Sequence, residues 1–511
     1  MLFVLSLVGA NVLYNISARY NTTQKNIGWQ EALFAAESGA DVALANLRWT
    51  KISGTNTAFA AGTNDDGSYW GWLKPSGSNW VPCTSATDGS TQLSGTKSLT
   101  YNLPTLSEGG DGTTQIWAKV VLDGPPMSNS GTPKGLVDSK GNQWYRIRST
   151  GYAALTGMSR VGDDIVTDMN ARHKNALRKF SFKYDRYESF YNNRLVALAK
   201  PQAQRTIEVL VQPKTPFEAA VIAGTSFNGP GSAGVIDSFD STNTAKSTNA
   251  QYDSSKRQQH GDVLLNTAAT SSNFSVGGTI YGDVGSNGGT FTNIGSVTGS
   301  VNNNAYTYLP PVNTPTWTTI NATPTTVTSN TTINIPAANN TLTNPARYKL
   351  ATITKTLTVT PPSGSDGYAE IWVTGDITGA ITINDNTSSG SQTGAHVKIY
   401  FAGNINVKGR DLTNNPYSDG LQLGAAYLQF YGINPSSGTQ TVSIGSPGDF
   451  AACLYAPAAT FTMTGNPDIY GSVVTNNFSG NGNTGVHYDE ALAGFGDVID
   501  YRRASWVEDP R

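Results

Sequence analysis

Any chemistry in this chain would have to come from few groups. The four histidines are His173, His260, His396 and His487. None sits in an H-E-x-x-H pattern, and none clusters with cysteines as zinc ligands do. The two cysteines, Cys83 and Cys453, are too few for a disulfide framework. Cys453 lies in the apolar run FAACLYAP, which favours a buried thiol over a bridge to Cys83. There is no G-x-S-x-G elbow and no Walker A loop. One G-x-G-x-x-G occurs at Gly480, Gly482 and Gly485, but no helical pattern follows it, so a turn explains it better than a nucleotide site. Polysaccharide chemistry would need convergent carboxylates, often with Arg or Lys, along one groove. The candidates are Glu370, Asp376, Lys398, Lys408, Arg410 and Asp411. Asp376 stands in a Gly-Asp turn where an aligned copy has Asn404, a swap that suits a turn and not proton transfer. The densest polar run is His487, Tyr488, Asp489 and Glu490. An acid/base pair could be built there, but hydrogen bonds that cap the last coil of the C-terminal half are the expected role. The sequence therefore predicts no catalytic residue, cofactor or metal, and no enzyme.

What positions these residues is legible in the bulk numbers. Only 14% of the 511 residues are charged and the net charge is −2, so no basic field exists to attract nucleic acid or anionic lipid. The 54 glycines, with abundant Thr, Ser and Asn, point to many short strands joined by tight turns. After Pro216 a unit recurs: aromatic or small residue, Gly, Asp/Asn/Ser, Ile/Val. It appears at Gly282-Asp283, Gly375-Asp376, Gly403-Asn404 and Gly471. Two copies, EIWVTGDI (370–377) and KIYFAGNI (398–405), align position for position. An apolar strand would end at Gly in a conformation other residues avoid. Asp or Asn would then bond its own backbone and start the next strand. Stacking such coils buries an apolar column and predicts a right-handed parallel β-helix or solenoid over 216–492. The Thr/Asn-rich stretch 312–346 reads as an excursion from the coils, and 493–511 as a C-terminal tail.

The N-terminal half reads differently. Leu2, Phe3, Val4, Leu5, Leu7, Val8, Val12 and Leu13 make an apolar opening of about 14 residues, short of the ~20 that span a bilayer. No basic stretch precedes it and no small-x-small site follows it, so a secretory signal fits poorly. From Gln24 to Trp49 the period is helical, with Leu33, Ala36, Ala40, Leu44 and Leu47 on one face and Glu31, Glu37 and Asp41 off its centre. One helix over 1–50 would anchor and then dock. Residues 51–215 follow with three alternating strands, TQIWAKVVLDG, NQWYRIRSTGYA and QRTIEVLVQPK, and a charged insertion at 159–205.

The stretch QKNIGWQEALFAAESGADVALANLRW resembles the N-terminal region of PilX-like minor pilins of type IV pili. The match rests on Ala32, Ala35, Ala36, Glu37, Ser38, Gly39, Ala43 and Leu44, with Phe34 beside them. The C-terminal half is similar to the Gly-rich β-solenoid module that follows such regions, through AAVIAG, EIWVTGDI, VKIYFAGNI, LQFYGI, LYAPAATFTMTG, IYGSVV and GVHYDEAL. The resemblance implies a mainly β protein: a long N-terminal helix on a pilin-like antiparallel sheet, then the solenoid. It implies a minor or tip subunit, with other pilin-like subunits, the pilus assembly machinery and the inner membrane as partners. It also implies a bacterial envelope location, with the bulk periplasmic or extracellular. The family's basic leader, Gly cleavage site and early glutamate are not matched, and residue 5 is Leu5. A start upstream of Met1, or a protein that skips prepilin processing, is the expectation. An adhesin is the alternative, with Tyr368, Tyr400 and Tyr431 stacking on a surface glycan.

Overall fold

A computed structural model of the chain describes residues 19, 22–23, 26–45, 47–48, 72–76, 79–82, 99–102, 114–123, 144–155 and 203–509, apart from 293, 318–319, 321–324, 340, 343, 388–389 and 437. The apolar opening from Leu2 to Leu13, Cys83 and the insertion 159–202 lie outside the described residues. The protein is mainly β, with an N-terminal helix and parallel sheets. It divides into unit 1, residues 1–213 with 500–511, and unit 2, residues 214–499. No helix among the described residues is long and apolar enough to cross a membrane.

Unit 1 rests on period-two alternation. Its strands are β1 (Trp72–Ser76), β2 (Asn79–Pro82), β3 (Leu99–Asn102), β4 (Thr114–Asp123), β5 (Tyr145–Leu155) and β6 (Ala203–Lys214). With the C-terminal strand Asp500–Asp509 they form one seven-stranded sheet in the order β2-β1-β3-β4-β5-β6-C-terminal strand. From β2 to β6 every pairing is antiparallel. Ala118 and Val120, Ile147 and Ala153, and Ile207, Val209 and Val211 fill one face, while Lys119 and Arg148 point away.

Helix α1, residues 26–45 continuing at 47–48, covers that face. Its buried seam is made of small residues: Ala32, Ala35, Ala36, Gly39, Ala40 and Ala43, closed by Leu44 and Leu47. The spacing is set by two glycines. A Cβ on Gly151 of β5 would stand 1.9 Å from the Ala32 carbonyl oxygen, and one on Gly39 would stand 2.5 Å from Ser149 Oγ. Leu33, expected in the buried stripe, is only half-buried, and Phe34 is 63% exposed. A seam this close admits only the small residues along its line, and Leu33 lies a helical step of about 100° away from Ala32.

The expected C-terminal tail contains a strand. Asp500–Asp509 is the edge strand beside β6. Arg48 Nε donates to the Tyr501 carbonyl at 2.9 Å and lies 3.2 Å from Asp500, Arg503 pairs with Asp41, and Arg205 pairs with Glu508. The strand is mostly exposed, so its sequence lacks the alternation that betrays half-buried strands.

Unit 2 is a stack of parallel strands that the chain enters in the middle. β7 (Val221–Asn228) leads to β8 (Val235–Phe239), β9 (Val263–Leu265), β10 (Phe274–Ser275), β11 (Thr279–Ile280), β12 (Val284–Ser286), β13 (Ser296–Val297) and β14 (Val301–Asn302), which ends one side. Residues 303–317 then run back toward the opposite end. There β15 (Thr325–Val327) and β16 (Thr331–Asn334) start a return. β17 (Ala346–Ile353), β18 (Leu357–Thr360), β19 (Gly367–Val373), β20 (Ile381–Ile383), β21 (Ala395–Phe401), β22 (Ile405–Lys408), β23 (Leu412–Asn414), β24 (Leu428–Gly432) and β25 (Gln440–Gly445) follow. The long β26 (Phe450–Thr464) and β27 (Asp468–Asn481) come next, and β28 (Gly485–Asp489) is the last strand of the unit.

One continuous parallel ladder runs β15-β17-β19-β21-β24-β26-β27-β7-β9-β12-β14. The copies aligned in the sequence stand in register, Ile371 against Ile399 and Val373 against Phe401. A smaller parallel sheet, β16-β18-β20-β23, accompanies it. The apolar column Ile371, Ile399, Phe430, Leu454, Val473, Val221, Val263 and Val284 is buried along the ladder's inner face. No sheet closes on itself among the described residues.

The crossing segment is a strap. Thr307 exchanges hydrogen bonds with Asn266, the Pro310 carbonyl accepts from the Tyr455 hydroxyl at 2.8 Å, and the Val312 carbonyl accepts from the Asn434 N–H at 3.2 Å. Trp317 packs edge-on against Tyr400. The expected excursion 312–346 is therefore two things: the end of this strap, and the terminal strands β15 and β16. Thr and Asn there replace the apolar residues that mark interior strands.

Candidate functional site

The Gly-Asp and Gly-Asn turns do more than the sequence suggests. Their side chains do not bond their own backbone. Each reaches the next layer of the stack: Asp262 Oδ1 accepts from the Asp283 N–H at 2.8 Å, and Asp283 Oδ1 from Ser300 at 2.7 Å. Asp376 Oδ1 accepts from the Asn404 N–H at 2.7 Å, and Asn404 Oδ1 from Thr441 at 2.9 Å. Asp449 and Asp468 repeat the pattern at 2.8 Å. Asp376 is thus a rung of a ladder, not a groove acid.

The glycines also have a different reason. Gly282, Gly375 and Gly403 lie outside the left-handed region, and of the four turn glycines only Gly471 lies inside it, at φ 149°. What they share is crowding. A Cβ on Gly403 would stand 2.4 Å from the Gly375 carbonyl carbon, one on Gly282 2.6 Å from that of Gly261, and one on Gly471 2.0 Å from the Ala452 oxygen.

His487, Tyr488, Asp489 and Glu490 do not cap an end. β27 pairs with both β28 and β7, and β28 pairs with β8, so this run fills the seam where the last two strands of unit 2 meet its first two. His487 Nδ1 is 2.6 Å from Asp237 Oδ1, and its Nε2 is 3.6 Å from Asp468. The Tyr252 hydroxyl donates to the other Asp237 oxygen at 2.6 Å, and the Tyr252 ring stacks on His487 at 3.9 Å. Burial works to lower the His487 pKa, but hydrogen bonds and charge from Asp237 and Asp468 raise it to about 9. Tyr488 donates to the Phe217 carbonyl. Asp489 accepts from the N–H groups of Ser241 and Ala491, and burial raises its pKa to about 6. Burial opposes ionisation of Glu490, yet hydrogen bonds from Lys246, His260 and Ser238 hold its carboxyl below the usual range. Sequence reading missed Asp237, Tyr252 and Asp468. Asp237 lies 250 positions before His487, and no local pattern links them.

The residues considered for polysaccharide chemistry are dispersed. Glu370 pairs with Arg347 at 3.0 Å, Lys398 with Asp497 at 2.9 Å, and Asp411 accepts from the Lys408 N–H. Arg410 borders a cleft of about 260 Å³ with Asn414, Tyr417, Asp449 and Tyr470, where Asn414 and Asp449 are already spent on backbone N–H and carbonyl partners. Tyr431 is buried, and Tyr400 lies between it and Trp317. Tyr368 stacks on His396. Cys453 is a free, buried thiol whose pKa burial pushes up. No three His, Cys, Asp or Glu side chains converge as metal ligands among the described residues.

On unit 1 the outer side of α1 carries Ile27 and Phe34, each at least 40% exposed. Ile27 and Phe34 are seven positions apart and share a face.

A family described as a domain of unknown function (DUF7305) matches residues 318–495, which is the return walk from β15 to the turn after β28. No curated protein matches the chain. The chain is similar to the competence-associated pilin ComZ from Thermus thermophilus at 11% identity and a TM-score of 0.26, over 94% of this chain and 97% of that one. A likeness at that TM-score fixes no shared fold.

Proposed function

We propose that this chain is a structural subunit of a type IV pilus-like system, a minor or tip component resembling PilX-like pilins, with no catalytic activity of its own. Unit 2 is read as a right-handed parallel β-solenoid held outside the membrane. The observation that supports this most is α1. Its small-residue seam is spent on the sheet, while Ile27 and Phe34 remain open on the opposite side, and the apolar stretch Leu2–Leu13 precedes it in the sequence. An exposed apolar pair on the undocked side of a helix is a contact point for further helices. On this reading the partners are other pilin-like subunits, the assembly machinery and the inner membrane, and the location is the bacterial envelope. The adhesin reading has less support, since Tyr431 is buried and the half-buried Tyr400 and Tyr368 stack on Tyr431 and His396.

The test is incorporation. Pili sheared from cells should contain the protein at low stoichiometry, and Ile27→Lys/Phe34→Lys should remove it from pili while its cellular level persists. Absence of the unaltered protein from both pilus and envelope fractions would overturn the reading.

A further inference from the structure

We propose that unit 2 stacks end to end with unit 2 of a second copy of this chain, the edge of β14 that has no partner strand among the described residues pairing in parallel with the corresponding edge of β15 in the next molecule.

The two edges are the ends of one ladder. Every pairing from β15 to β14 is parallel. Translating one copy along the stack therefore sets β14 beside β15 with strand direction preserved, and each edge offers the backbone groups the other lacks. Pairing β14 with another β14 across a two-fold axis would reverse the direction and break the pattern.

The buried column points the same way. Val221, Val263 and Val284 are fully covered, each by the rung above it. The next rung is Val301 on β14, paired with Val284, and it is 45% exposed. Nothing within the described residues supplies the rung beyond it.

Charge is the third observation. Between Asp283 and Arg347 the sequence holds no Asp, Glu, Lys or Arg. That stretch contains β13, β14, β15 and β16, so both ends of the stack are uncharged. Sheet edges are ordinarily guarded by charges, above all Lys, because an unguarded edge recruits another strand. The exposed large hydrophobic residues described in unit 2 are Val301, Tyr306, Ile320 and Leu342, and all four fall in the same uncharged stretch. The occupant that matches both edges at once is this chain itself. The contact is heterologous, so copies would add in a row and not stop at a pair. The inference concerns unit 2 alone and does not rest on the pilus reading.

Sedimentation of the full chain in a mild detergent, over a wide concentration range, tests it. The unaltered protein should give a ladder of oligomers that lengthens with concentration. Val301→Glu and Thr326→Glu, one at each edge, should each give a single monomeric species with an unchanged circular dichroism spectrum. Should Val301→Glu fail to fold, Asn302→Lys on the same exposed strand replaces it. An equal mixture of the two edge variants should give a dimer and nothing longer, because each retains the edge the other has lost. A monomer at every concentration overturns the proposal. So does association that neither edge variant weakens, which would assign the contact to unit 1 and leave the pilus reading standing.

Discussion

The Nδ1 of His487 and the carboxylate of Asp237 meet at 2.6 Å in a nearly dry seam. With its pKa raised to about 9 against about 6.5 when unfolded, the imidazolium contributes stability that is complete below pH 6.5. That contribution is lost as pH rises through about 9, and is on the order of 3 kcal/mol. Thermal melts between pH 7 and 10 should show unit 2 weakening steadily. His487→Gln should melt lower at pH 7 and show little slope over that interval. Asp489 works in the opposite sense. Its folded pKa of about 6 lies above the usual carboxylate value, so the cost of its charge is absent in acid and appears as pH rises through about 6. Asp489→Asn keeps an acceptor for Ser241 and Ala491. It should therefore match or exceed the unaltered protein's melting temperature at pH 7, and flatten the profile between pH 4 and 6.

Elements were legible where burial repeats locally. The strands β4, β5 and β6 show in their alternation, and β19 and β21 in two sequence copies that prove to be in register. The helix was legible as a period, but its seam was read one residue too wide at Leu33, because periodicity does not say how closely the sheet approaches. The C-terminal strand was illegible, since an exposed edge buries too little to leave a pattern. Of the turn glycines only Gly471 has the backbone conformation expected from the sequence, while Gly282, Gly375 and Gly403 answer to crowding. Whether a glycine serves a turn or a close contact depends on the neighbouring layer, which a linear sequence does not display. Gly403→Ala and Gly151→Ala should each cost about 1–3 kcal/mol by overpacking, read as a lower denaturant midpoint. Asn404→Asp should be nearly neutral because the acceptor for Thr441 survives, whereas Asn404→Ala should cost about 1 kcal/mol.

At the scale of the molecule, unit 2 is an insertion into a hairpin of unit 1. Arg502 reaches Gln212, Arg205 reaches Glu508, and the Ile499 N–H donates to the Lys214 carbonyl, so the strands on either side of the insertion run antiparallel. Replacing 214–499 by a two-residue Asn-Gly turn should leave unit 1 folded. Ending the chain after Ile499 should unravel it, because the edge strand and its links to Arg48, Asp41 and Arg205 go together. Hydrogen exchange on β5 and β6 would separate the two outcomes. The arrangement of the stack itself was not predictable from the sequence. The pairing of β28 with β8 joins segments some 250 positions apart, and nothing near either names the other.

That pairing fixes an order of events during synthesis. A chain emerging from the ribosome delivers β8 some 250 residues before β28. Until β28 arrives, the open side of β8 is the place where a protease or a chaperone can take hold. A translation product that stops short of residue 485 never closes that gap, so the fold itself distinguishes finished copies from unfinished ones.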